Sequence, residues 1–165
     1  MNEIKPIKRS KELAPLSREH HNGLLFVWKI RQGLTNGTTI EMMCNYSRWF
    51  WINHIKPHFK DEEKVLIQFL PADNTLVRQM VAEHEQIREL IITLDKDQDE
   101  GGLKSLADLL EKHIRFEERK LFAYAEKALT VDQLKSISKQ LAAEPYCDTD
   151  PMAIGWKEEF WLKKK

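Results

Sequence analysis

The stretch His58-Phe59-Lys60-Asp61-Glu62-Glu63-Lys64-Val65-Leu66 returns later in the chain as His113-Ile114-Arg115-Phe116-Glu117-Glu118-Arg119-Lys120-Leu121. Both read H-x-x-x-E-E-[KR]-x-L. On an α-helix, residues four apart lie one turn above each other on the same face. His58 with Glu62, and His113 with Glu117, therefore form two imidazole–carboxylate pairs ready to chelate a metal. That donor chemistry suits iron, manganese or zinc better than calcium or a thiophilic ion. The motif works only on helices, so it decides the fold class as well as the chemistry.

A second echo extends the first. Leu16-Ser17-Arg18-Glu19-His20 is matched by Met80-Val81-Ala82-Glu83-His84. The chain thus reads as two halves, each a Glu-His followed by a His-x-x-x-Glu pair. Of six histidines in the chain, His20, His58, His84 and His113 fall in this repeated order. His21 competes with His20, but it lies about 100° further round a helix, and His20 is the one that aligns with His84. His54, one turn before His58, is open to three readings: an extra ligand, a hydrogen-bond partner of one, or a filler of the bundle end.

Glycine and proline are sparse, six of each, and apolar residues recur at helical spacing. Helix A is predicted from Ser17 as N-cap to about Gln32, and helix B from Thr38 to Leu70 with a kink at Pro57. Helix C is predicted from Thr75 to Asp95 and helix D from Leu103 to Leu129. Thr130 and Gln133 form a capping box for a shorter helix ending near Glu144, and Trp156 to Trp161 reads as a last short helix or ordered tail. No period-two strand pattern occurs. The prediction is an all-α, up-down-up-down four-helix bundle, one domain over residues 1–165, with its core at about 16–129 and a short C-terminal helix and tail at 130–165. Facing helices then aim four imidazoles and two carboxylates into one interior. Burying them unpaired would be very costly, and a cation removes that cost.

Composition narrows the functional classes. The chain has 165 residues, 42% hydrophobic and 32% charged, with a formal net charge of zero. Binding phosphate backbones needs a basic excess, so nucleic acid is not the expected partner. No segment is long and apolar enough to span a bilayer, and the polar start lacks a signal-peptide core. The expected location is cytoplasmic, with Cys44 and Cys147 read as incidental reduced thiols. No H-E-x-x-H, E-x-x-H, glycine-rich phosphate loop or nucleophile elbow is present.

On these residues the chain resembles the hemerythrin-like (HHE cation-binding) domain family, over roughly Leu16 to Ala125. The resemblance implies a four-helix bundle around a non-heme centre of two iron ions with a bridging oxo or hydroxo group. Zinc and manganese remain compatible with the donors. It implies His20, His58, Glu62, His84, His113 and Glu117 as ligands, with Glu62 and Glu117 bridging. The oxygen-carrying members have a further His one turn after the helix C ligand and an H-x-x-x-x-D motif. Here Arg88 and H-x-x-x-E stand in those places. The expected ligand is dioxygen, nitric oxide or peroxide, in oxygen or iron sensing or in oxidative or nitrosative stress. Whether the chain is an enzyme stays open. The alternatives are a metal-dependent sensor or interaction module with a protein partner, and a zinc-holding structural bundle.

Overall fold

The computed structural model describes residues 8–143 and 160–162. Every regular element among them is helical. Helix α1 spans Ala14–Thr35, α2 Ile40–Phe50, α3 Lys56–Asp61, α4 Thr75–Lys96, α5 Glu100–Phe116, α6 Phe122–Ala128 and α7 Val131–Ala143. Local chemistry sets most ends. The Thr39 hydroxyl accepts from Met42 N, the Asn74 side chain from Leu76 N at 2.9 Å, and the Asp99 carboxylate from Gly101 N at 3.0 Å, the usual N-cap arrangement. Gly37, at φ 73°, makes the turn between α1 and α2. The expected capping box is present: Gln133 N donates to Thr130 Oγ1 at 3.1 Å and Thr130 N to Gln133 Oε1 at 2.9 Å.

Two boundaries differ from the sequence reading. Helix α1 begins three residues before Ser17, with Pro15 in its first turn, where the missing N–H costs nothing. The Ser17 hydroxyl donates instead to Glu118 at 2.7 Å. Helix α5 begins before Leu103, because Asp99 caps it ahead of the two glycines. The predicted helix around Trp156 lies outside the described residues apart from Phe160 to Leu162, which form a turn. Cys147 also lies outside them, and Cys44 is a buried free thiol.

The long second segment is not one α-helix. Between α2 and α3 the chain widens into a π-turn, Trp51–Ile55, closed by Lys56 N donating to Trp51 O. Pro57, which has no N–H to give, follows in the first turn of α3. A second π-turn, Glu62–Leu66, and a short 3-10 turn, Ile67–Phe69, complete the segment. The fourth segment repeats the device: the π-turn Glu117–Leu121 joins α5 to α6. Both turns fall on E-E-[KR]-x-L, so the sequence repeat is also a repeat of backbone irregularity.

Helix α1 packs along α5, α4 along α5, and α2 against both α1 and α4. Two apolar clusters result. One gathers Phe26, Ile30, Met43, Phe50, Ile91 and Leu106, and the other Leu16, Leu66, Met80, Leu121, Phe122 and Ile137. In each of the four main segments the metal-type donors fall in sequence between residues of one cluster and residues of the other. The site is a polar layer between two dry cores.

Candidate metal centre

The six side chains expected as ligands converge. His20, His58, Glu62 and Glu117 offer donor atoms all within 4.8 Å of one another, and so do Glu62, His84, His113 and Glu117. All six are buried, with Glu62 and Glu117 at 0% exposure. Each imidazole turns Nε2 inward. His58 Nε2 lies 2.8 Å from Glu62 Oε1, and His113 Nε2 lies 2.8 Å from Glu117 Oε1. His20 Nε2 lies 2.8 Å from Glu117 Oε2, and His84 Nε2 lies 3.1 Å from Glu62 Oε2. Exposed His21 and half-buried His54 belong to neither group. His54 stacks on Phe50 at 4.8 Å instead.

A second ring of carboxylates holds the imidazoles from behind. Nδ1 of His20 lies 2.6 Å from Glu118, Nδ1 of His84 lies 2.9 Å from Glu63, and Nδ1 of His113 lies 3.2 Å from Glu83. Nδ1 of His58 meets Glu19. A carboxylate behind Nδ1 fixes the tautomer that leaves Nε2 free for a metal. The pattern follows the repeat. Within each half the Glu before the first His serves the second His: Glu19 for His58, Glu83 for His113. Between halves, the second Glu of each E-E crosses over: Glu118 serves His20, and Glu63 serves His84.

Neighbours on a regular helix point apart, which would turn Glu63 and Glu118 to solvent; both do form salt bridges, to Arg88 and Arg9, but each also faces an imidazole. The π-turns change that phase, because both begin at the E-E pair. The exact recurrence of E-E was the signal available in the sequence.

Two arginines extend the crossed pairs. Arg9 reaches Glu118 at 3.1 Å and lies 5.4 Å over the Phe122 ring, which stacks on His20. Arg88 reaches Glu63 at 2.9 Å and lies 6.0 Å over the Phe59 ring, which stacks on His84 at 3.6 Å. Arg88, one turn after His84, thus anchors the carboxylate behind that ring.

The electrostatics describe a site made for a cation. Burial works against charged imidazoles and is the largest single influence on His58 and His84. Glu62 and Glu19 outweigh it at His58, raising its pKa to about 9. Glu117, Glu62 and Glu63 raise His84 to about 11. Burial and Glu117 press the Glu62 carboxyl upward, yet His58 and His20 hold it down at about 2. Glu117 is held well below the usual range, with His113 the main opposing influence to burial. Even so, Nε2 of His20, His58 and His113, both oxygens of Glu62, and Oε2 of Glu117 are buried without a hydrogen-bond partner. Buried nitrogens and oxygens without hydrogen-bond partners are costly, and a shared cation satisfies them together.

Residues 49–125 match the family model described as the hemerythrin HHE cation binding domain. The resemblance read from the sequence is thereby shown over that segment, and cation binding is the function the match and the clustered donors support. The matched segment includes five of the six inward donors, while His20 precedes it. No curated protein and no solved structure gives a significant match. Among the described residues, no helix is long and apolar enough to cross a membrane.

Proposed function

We propose that the chain is a single-domain, up-down-up-down four-helix bundle that holds two iron ions. His20 and His58 would hold one ion and His84 and His113 the other, with Glu62 and Glu117 shared between them. The observation that carries this reading is the pair of donor groups with both carboxylates in common. The donors are all nitrogen and oxygen, and there are six of them. That favours two ions of higher coordination number over the four-coordinate site usual for structural zinc.

When bound, the iron pair supplies redox-active positions for a small ligand: dioxygen, nitric oxide or peroxide. The chain's own part is to aim four Nε2 atoms inward through four carboxylates, and to set the donors between the two apolar clusters. A role in oxygen or iron sensing, or in oxidative or nitrosative stress, follows from that chemistry.

The test is metal analysis of the purified chain, then absorption of protein loaded anaerobically with ferrous iron, before and after admitting air. Two irons per chain and new near-ultraviolet and visible bands are expected, both lost in Glu62→Ala and Glu117→Ala. Zinc alone, with no response to air, would move the assignment to a structural bundle.

A further inference from the structure

The two halves of the site repeat, and they differ on one side. Three residues after His84 stands Ile87, fully buried; three residues after His20 stands Gly23. Before His113, α5 runs unbroken from Glu100. Before His58, the chain makes the π-turn Trp51–Ile55 and carries the exposed Pro57. Gly23, Asn53, His54, Ile55 and Pro57 all line one cavity of ≈ 350 Å³. The π-turn and Pro57, which break the repeat, thus border the space, and Gly23 admits the Ile114 side chain that also lines it.

The cavity reaches the centre from the first half. His20, His58 and His113 form part of its wall, but Glu62, Glu117 and His84 do not. It is therefore a chamber beside the donors and not the gap between them. Its size exceeds what a diatomic needs: one water's share of liquid volume is about 30 Å³, whereas pockets for small organic ligands begin near 300 Å³. Phe50, Leu110 and Ile114 give it an apolar surface, and Asn22 adds an amide. The adjacent Lys60 and Asp61 at the rim cancel in charge, and the Glu19 carboxylate is bound to His58. His20 and His113, also in the wall, are each paired with Glu117, so the charges of the lining are matched by partners.

We propose that this cavity binds a compact, neutral organic molecule, mostly apolar with one hydroxyl or amide group and no larger than a singly substituted ring. The molecule lies beside the metal position of His20 and His58. The inference deepens the reading above by giving that centre an organic ligand, and it rests on that reading only for the metal's presence.

The probe is benzyl alcohol, titrated against the full purified chain and followed by saturation-transfer NMR, with metal content measured on the same samples. Saturable binding in the millimolar range is expected. Asn22→Trp fills the chamber from a half-buried helix position outside the donor groups. It is expected to weaken binding at least about tenfold with metal content and melting temperature unchanged. Gly23→Ile copies the second half, but its Cβ meets Ile114 Cδ1 at 2.7 Å, so Asn22→Trp is the deciding variant. Absent binding by the wild-type chain, or undiminished binding by a folded Asn22→Trp chain, overturns the proposal. Binding of the alcohol by a chain without iron leaves the cavity standing and removes the di-iron reading. Two irons without alcohol binding does the reverse.

Discussion

Each of the four converging imidazoles has a carboxylate behind Nδ1 and turns Nε2 to the centre, and this makes single substitutions informative. Glu117 is shared by both donor groups, so Glu117→Ala is expected to empty both metal positions, whereas loss of one ion alone would contradict the sharing. The outer residues should tune the centre without emptying it. Arg88 draws charge from Glu63, which in turn faces His84 Nδ1. Without the guanidinium the carboxylate becomes a stronger acceptor and His84 a stronger donor, which favours the ferric state. We predict that Arg88→Ala lowers the reduction potential of the iron-loaded protein, that Glu63→Gln raises it, and that Arg88→Lys largely restores it. Spectroelectrochemistry reads all three. Shifts of the same sign in the first two would reduce Arg88 to a packing residue over Phe59.

The helices are fixed by signals of two kinds, and only one kind shows in residue spacing. Caps are local chemistry. We predict that Asn74→Ala, which removes the acceptor for Leu76 N and Val77 N, costs about 1 kcal/mol, or roughly 2–4 °C in melting temperature for a chain of this size. An unchanged melt would show that packing alone sets the start of α4. The same local logic made α4, the Thr130–Gln133 box and the inward donors legible beforehand. It misread Ser17 as a cap because the competing partner, Glu118, comes from a distant segment. The π-turns were invisible for a related reason. Their i→i+5 bonds are favoured by what the E-E pair does across the bundle, where one carboxylate faces the centre and the next faces a histidine of the other half. A proline at 57 announced irregularity in the second segment, but nothing comparable announced it at Glu117.

At the scale of the whole molecule, the buried charges couple stability to pH in opposite ways with and without metal. In the metal-free chain His58 and His84 have pKa values raised to about 9 and about 11, against about 6.5 when unfolded. Their contribution is fully present below pH 6.5 and is lost as pH rises through 9 and 11. Glu62, lowered to about 2, contributes above its unfolded pKa near 4.5 and loses that contribution as pH falls toward 2. The metal-free bundle should therefore be most stable between about pH 5 and 6.5 and weaken toward pH 9. Metal reverses the upper limb. A bound cation needs neutral imidazoles, so binding expels their protons and affinity for the folded chain rises with pH through 9 and 11, while the stability of the loaded chain over the unfolded one rises only until the unfolded histidines are neutral. With metal in excess, stability should climb from pH 5 to about 7 and then hold level. Melting temperatures at pH 6 and pH 9, with and without metal, make the comparison. Calorimetry at pH 7 in two buffers of different ionisation enthalpy should also show protons released on loading. Parallel pH profiles, or loading without proton release, would mean that the metal does not bind at these imidazoles, and the layer between the two cores would then be a network of ion pairs alone.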